Sequence, residues 1–314
     1  MKAAIAVDFG GTSIKMGVTQ GTTILKKAAP LPTAAYDSPS AIIQAMCATA
    51  RELLQQCPQA AAVGLGMPGW TDFHRGVLYQ LTNVAVWDHE VPVRDIMQQE
   101  LGLPVVLDND ANCMAYAEWK AGAGIGKQSL ACLTLGTGIG GGIIIHDRML
   151  RGLTVSAAEL GQTSIYWKGR SGPFGNKGAI EEYIGNNEFA AAAVAAYRKA
   201  GIRRSAEDCA PHILEKAARS GCPIALGLYI DFAEKLATLI MNLMYAFVPE
   251  AVIIGGGVAR AGDLLFEPLE RMLKASLFPV HYAALQLLPA HFGADSGLIG
   301  AGLMASDYVE GKLS

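Results

Sequence analysis

Aspartate placed beside glycine-threonine turns is a combination suited to handling phosphate. In this chain Asp8-Phe9-Gly10-Gly11-Thr12, Leu135-Gly136-Thr137-Gly138-Ile139-Gly140-Gly141-Gly142 and Gly255-Gly256-Gly257 each follow an apolar run of β type. Glycine lets the main chain turn sharply and bring several N–H groups close to an anion without Cβ interference. Thr12 and Thr137 add a hydroxyl donor to the first two turns, suited to β- and γ-phosphate oxygens. Three such turns spread over the whole length point to one polyphosphate gripped from several sides, and so to a nucleotide enzyme. Asp8 closes its strand beside the first turn, where a carboxylate can hold a Mg²⁺ that bridges phosphates; the plainer alternative is an aspartate that caps the turn. Lys15 is readable as a phosphate contact or as a solvent-facing strand lysine. Gly255–Gly257 leads from a strand toward a helix N-terminus, a place for anionic or nucleoside contact.

Acid–base chemistry is concentrated in Asp108-Asn109-Asp110-Ala111-Asn112, between a buried strand and a helix expected over Ala111–Ala121. Asp110 is expected at or near the helix N-cap. There it either only caps, worth about 1 kcal/mol, or is kept ionised by the positive helix end and ready to take a proton. A loop at the C-terminal end of an α/β strand is where ligands bind, and Asn109 has the polarity to hold a hydroxyl. Asn83, Glu159 and Glu181 are further polar residues in glycine-rich loops, each of which by itself reads as a solvated loop residue.

Two segments match G-x-G-x-x-G: Gly64/Gly66/Gly69 and Gly136/Gly138/Gly141. A dinucleotide fingerprint needs a helix to open directly after the glycines. Pro68 and Trp70-Thr71-Asp72 follow the first match and the β-branched run Ile143-Ile144-Ile145 the second, which excludes a Rossmann dehydrogenase. No G-x-x-x-x-G-K-[ST] is present, which excludes a P-loop enzyme.

The elements that must position these residues are legible from periodicity. Strands are expected at Ala3–Val7, Ile14–Thr19, Ala61–Leu65, Val105–Leu107, Leu130–Leu135, Ile143–His146 and Ala251–Ile254. Helices are expected over Ser40–Cys57, Val93–Leu101, Asn187–Ala200, Ala206–Ser220, Pro223–Phe247, Gly262–Ala275 and Ser296–Asp307. Strand, glycine turn and strand occur twice, which suggests two related α/β halves facing each other over a cleft. With 314 residues, 51% hydrophobic and 17% charged, the chain can build about two cored domains. A net charge of −3 from scattered residues gives no nucleic-acid footprint. The most apolar stretch, Leu236 to Val248, is shorter than the roughly 20 residues a bilayer requires, and the start lacks a signal-peptide pattern. A cytoplasmic protein without membrane or nucleic-acid partners is expected. The six cysteines form no CxxC pair and read as reduced structural thiols.

In this order the motifs resemble the ROK family (repressor, open reading frame, kinase) of sugar kinases, within the actin/Hsp70/hexokinase-like ATPases, over nearly the whole chain. Asp8-Phe9-Gly10-Gly11-Thr12 resembles that family's D-x-G-G-T loop. Gly66-Met67-Pro68-Gly69 and Leu81-Thr82-Asn83 resemble its sugar-side P-G and P-N-x elements, and Asn109-Asp110-Ala111-Asn112 its N-D-A-N. Leu135–Gly141 resembles the second phosphate loop and Ile254–Val258 the adenosine-side loop. The resemblance implies an α/β, two-domain actin-like ATPase (ribonuclease H-like) fold with a central interdomain cleft. The domains would be 1–109 with 297–314, and 110–296. It implies ATP and Mg²⁺ as cofactors and transfer of phosphate to a sugar hydroxyl, at O6 of a hexose or amino sugar, with Asp110 as base. Gly69, Asn83, Asn109, Glu159, Gln162 and Glu181 would orient the sugar, and a homodimer is implied. Seven residues precede Asp8, so a regulator with an N-terminal DNA-binding module is not expected, whereas a non-catalytic sugar or nucleotide sensor stays open. The family's pattern G-E-x-G-H then C-x-C-G-x-x-G-C-x-E, which binds zinc through its His and three Cys, is altered here to Gln162, Gly172, Phe174 and Ala179. With no thiolate or imidazole left, no zinc is expected, and Phe174 is expected to pack where the metal would sit.

Overall fold

The computed structural model describes residues 1–81, 84–153 and 157–313. The chain forms two compact units: Met1–Gly126 with Gly142–Ala158 and His291–Ser314, and Lys127–Gly141 with Glu159–Ala290.

In the first unit, strands β1 (Ala3–Phe9), β2 (Ser13–Gln20), β3 (Thr23–Lys27), β5 (Ala60–Met67) and β8 (Val105–Asn109) lie in the order β3-β2-β1-β5-β8, with β4 (Leu31–Pro32) on β2. β6 (Thr71–Asp72) and β7 (Val77–Leu78) make a small separate ribbon. β1 is antiparallel to β2 and parallel to β5, and β5 is parallel to β8. Parallel pairs need crossovers, supplied here by α1 (Pro39–Gln56) and α2 (Val93–Leu101). α1 starts cleanly because the Ser38 hydroxyl accepts from Ala41 N and Pro39 takes the first turn; its stripe Ile42, Ile43, Met46, Ala50, Leu53 is buried. Gly102, at φ 65°, ends α2. β1 and β5 are apolar almost throughout because both sheet faces are covered.

One face of that sheet carries the C-terminal helix Ser296–Val309 and α3 (Asp110–Ala121). The C-terminal helix is built from small residues, so it approaches the sheet to backbone distance: a Cβ on Gly64 of β5 would collide with the Ala301 carbonyl. We expect Gly64→Ala to destabilise the protein by about 1–3 kcal/mol, measurable as a lowered Tm. The division of units places α3 with the first unit, whereas the sequence reading put residues from 110 onward in the second. The reason is packing: Gly300 of the C-terminal helix lies against the Cys113 backbone of α3.

The second unit contains β9 (Leu130–Leu135), the start of β10 (Ile139–Ile145), β12 (Ala251–Gly256) and β13 (Gln286–Pro289). β12 runs parallel to both β9 and β13. β10 crosses the division between units at Gly141/Gly142, and β11 (Arg148–Met149) pairs with its far end. The helices are α4 (Glu181–Ile184), α5 (Asn186–Lys199), α6 (Pro211–Arg219), α7 (Pro223–Phe247), α8 (Asp263–Ser276) and α9 (Pro279–Ala284). The single helix expected over Ala206–Ser220 is instead a 3₁₀ turn, Glu207–Cys209, followed by α6. Pro211 forces Ala210 into extended backbone (ψ 147°) and so separates the two. The buried face of α7 includes Phe232, Leu236, Ile240 and Leu243. No helix among the described residues is long and apolar enough to cross a membrane.

Candidate active site

In the first unit the predicted residues meet at one edge of the sheet. Asp8 lies opposite Gly66 in the β1–β5 pairing, and Gly66 lies opposite Asp108 in the β5–β8 pairing. Asp8, the start of the Gly66–Gly69 segment and the Asp108–Asp110 segment therefore share the C-terminal edge of three parallel strands, the place where α/β sheets bind ligands.

Asn109, not Asp110, is the N-cap of α3. Its Oδ1 accepts from Ala111 N at 2.9 Å and Asn112 N at 3.4 Å, and its Nδ2 donates to Gly69 O at 2.9 Å. Asp110 is the first residue of the helix, with Oδ1 accepting from Ala111 N at 2.8 Å. The amide of Asn109 thus meets the capping requirement and ties the Gly69 segment to α3, while the Asp110 carboxylate stays on the positive end of the helix.

Beneath this turn lies a buried ion pair that the sequence reading did not identify. Arg151 Nε donates to Asp108 Oδ2 at 2.6 Å, with side-chain exposures of 7% and 1%. Asp108 Oδ1 accepts from Asn109 N at 2.8 Å and Asn112 Nδ2 at 2.7 Å, so its lone pairs are used on the first turn of α3. The Arg151 guanidinium also lies 4.0 Å from the centre of the Phe73 ring. An acidic residue directly after the apolar run Val105–Leu107 was the available signal, since a buried carboxylate needs a partner. Cys113 below is fully buried; burial first, then the charges of Asp108, Asp110 and Asp8, push its thiol well above the ordinary range, so it is no nucleophile.

The first glycine turn is tight: Gly10 N donates to Ser13 O at 3.0 Å and Thr33 Oγ1 to Gly10 O at 3.3 Å. Gly11 is partly exposed and the Thr12 side chain is open to solvent. Lys15 faces Asp8 across the β1–β2 register, with Nζ 3.2 Å from Asp8 Oδ2 and 3.2 Å from Ala294 O. A Cβ on Gly297, in the first turn of the C-terminal helix, would fall 2.8 Å from Asp8 Oδ1. Asp8 thus has a lysine on one side and the first turn of the C-terminal helix on the other.

In the second unit the other two glycine turns are adjacent, because β9 and β12 pair with Gly255 opposite Thr134 and Gly256 opposite Leu135. Gly136, Thr137 and Gly138 therefore emerge beside Gly255, Gly256 and Gly257. Gly257 leads into a short 3₁₀ turn, Val258–Ala261, and α8 starts only after Gly262; the helix end expected at the third turn is displaced by these residues. Glu181, opening α4, braces the second turn. Its Oε2 accepts from Ile139 N at 2.8 Å, and any side chain on Gly138 would collide with that carboxylate. Gln162 Nε2 donates to Glu181 Oε1 at 3.3 Å. Glu159 retains solvent access, yet the protein around its carboxylate and then the Glu181 charge push its pKa up to about 7. Ala158, at φ 63°, precedes it in left-handed backbone.

The structure thus gathers Asp8, Gly10, Gly11, Thr12, Lys15, Gly69, Asn109 and Asp110 in the first unit. In the second it gathers Gly136, Thr137, Gly138, Glu159, Gln162 and Glu181, with Gly255–Gly257 beside them. Asn83 lies outside the described residues. Phe174 does not pack inward as expected: it is 48% exposed.

Two α/β units, each presenting a glycine-threonine turn behind a strand, define a two-domain ATPase of the actin-like fold. The chain belongs to the ROK family, whose profile matches residues 4–308. It is 33% identical over 319 residues to a glucokinase of Streptomyces coelicolor, with 98% of each chain covered. It is 32% identical to a glucokinase of Thermotoga maritima, again with 98% of each covered. A solved ROK family glucokinase from Streptomyces griseus, in complex with glucose and AMPPNP, matches with a TM-score of 0.82 at 31% identity, over 97% of this chain and 99% of that one. The resemblance carried by the loop motifs therefore holds, and the protein is an ATP-dependent sugar kinase.

Proposed function

We propose that the protein transfers the γ-phosphoryl group of ATP to O6 of a hexose, with glucose as the preferred acceptor. The observation that carries this reading is the division of labour at the start of α3. Asn109 caps the helix, and Asp110 sits at its positive end on the same sheet edge as Asp8. The identity of the acceptor rests on the glucokinase relatives. In this reading the triphosphate lies against Gly10–Thr12 and Gly136–Gly138, with the nucleoside toward Gly255–Gly257 and Lys15 near the phosphates. Asp110 accepts the proton of the hydroxyl as its oxygen attacks phosphorus in line, through a loose transition state stabilised mainly by position and charge. Mg²⁺ binds typically through one or two carboxylates plus substrate phosphates. Asp8 fits that donor set, directly or through water, and the ion would neutralise phosphate charge. Gly69, Asn83, Asn109, Glu159, Gln162 and Glu181 orient the sugar. A homodimer is part of the same reading, checked by sedimentation.

A coupled ADP-release assay over glucose, fructose, mannose, allose and N-acetylmannosamine tests the substrate. The expected result is the highest kcat/KM with glucose and a 6-phosphate product by NMR. ADP release that no sugar stimulates would refute it and favour a sensor.

Glu159 also predicts a pH dependence. Its folded-state pKa, about 7, lies above the ordinary 4.5. The folded protein therefore holds the proton more tightly, and Glu159's contribution to stability falls as pH rises from about 4.5 through 7. Acceptance of sugar hydroxyl bonds needs the carboxylate, so KM for sugar is expected to fall between pH 6 and 8. Glu159→Gln should flatten both profiles; an unchanged pH profile of KM would remove Glu159 from the sugar contacts.

A further inference from the structure

The four positions that hold zinc in the family pattern, Gln162, Gly172, Phe174 and Ala179, do not suit that metal here. None offers thiolate or imidazole, Phe174 faces solvent and Ala179 is wholly buried. Among the described residues no cluster of three His, Cys, Asp or Glu side chains can hold a metal ion. The segment nevertheless keeps a defined path. Ser164 bridges Ala179 and Ser171 bridges Lys177, and Gly172 N donates to Asn176 O at 2.8 Å.

What spans this segment is an amide. Asn176 Nδ2 donates to Gln162 O at 3.0 Å and to Gln162 Oε1 at 3.3 Å. Held at both its backbone and its side-chain oxygen, Gln162 turns its own Nε2 to Glu181 Oε1 at 3.3 Å, while Glu181 Oε2 accepts from Ile139 N at 2.8 Å. The links run in one direction, donor to acceptor, from Asn176 through Gln162 to Glu181 and the second glycine turn. Space for the first link depends on position 172: a Cβ there would press on Asn176 Oδ1 and Cγ. A cysteine at 172, as in the zinc-binding pattern, would push the Asn176 amide out of this position.

We propose that Asn176 is a positioning residue for the sugar site, acting through Gln162 to fix the Glu181 carboxylate in place of a structural zinc. This rests on the sugar-kinase reading above. In this arrangement one oxygen of the Glu181 carboxylate is held by an amide side chain and the other by a backbone N–H. Its orientation depends on two hydrogen bonds that each contribute modestly.

The test is a double-mutant cycle with Asn176→Ala, Gln162→Ala and the pair, read by sugar KM, kcat and ATP KM. For Asn176→Ala we expect sugar KM to rise about tenfold, with kcat and ATP KM changing less than about threefold. The pair should be no worse than Gln162→Ala alone, because both act on one chain of bonds. Unchanged sugar KM in Asn176→Ala, or effects that multiply independently, would overturn the proposal. So would stoichiometric zinc in the purified wild type by plasma mass spectrometry. If Asn176→Ala does not fold, Gly172→Ala, which displaces the amide while keeping Asn176, should raise sugar KM in the same way; an unchanged KM there counts against it. Wild-type turnover on any sugar separates this outcome from failure of the kinase reading itself.

Discussion

Asp110→Asn is expected to leave sugar and ATP binding nearly unchanged while turnover falls by about 10² or more. The substitution is close to isosteric and removes the proton acceptor. It does not disturb the helix start, because the cap is made by Asn109 through Ala111 N and Asn112 N. That separation makes the experiment decisive. Had Asp110 been the cap, a loss of activity would have mixed chemistry with a weakened α3. Calorimetric titration for binding and a coupled assay for kcat supply the two readouts. Full turnover in the Asn variant would remove Asp110 from the role of base.

The second large effect is expected at Arg151. Arg151→Met leaves the Asp108 carboxylate buried without its cation, and breaking a buried pair in this way costs about 3–5 kcal/mol. The loss should appear as a reduced denaturation midpoint and lowered activity, since Asp108 Oδ1 also holds Asn109 N and Asn112 Nδ2. Adding Asp108→Asn removes the uncompensated charge. The double variant should therefore recover most of the stability, because replacing both members of a buried pair is often close to neutral. Equal midpoints for wild type and Arg151→Met would show that the pair does not hold this region.

The parts of the site that were legible in the sequence are those encoded locally. Glycine after an apolar run marks a turn whatever surrounds it, and Gly10–Thr12 and Gly136–Gly138 both lie in turns behind strands. Pro223 to Phe247 forms one helix with the bounds its periodicity predicts. Less legible were choices among neighbours that satisfy the same requirement. Asn109 and Asp110 are both good caps, and register decided between them: Asn109 ends β8 with extended backbone, as an N-cap requires. Partners distant in sequence carried almost no signal. Arg151 and Asp108 are 43 residues apart, and only the rule that buried carboxylates need cations hinted at a pair. Asn176 lies in a segment marked in the sequence by its missing zinc ligands, and its bonds to Gln162, 14 residues away, have no local signature. Phe174 was expected inside because it is apolar, whereas polar bonds among Gln162, Gly172 and Asn176 organise the segment. Pro211 is a local signal: it divides what the apolar spacing suggests is one helix.

The most direct test of the account is a crystal structure of the protein with glucose, a non-hydrolysable ATP analogue and Mg²⁺. The account predicts an Asp110 carboxylate oxygen within about 2.6–3.2 Å of the acceptor hydroxyl, and phosphate oxygens against both Gly10–Thr12 and Gly136–Gly138. An Asp110 side chain directed away from the sugar, or a triphosphate touching only one of the two turns, would contradict it.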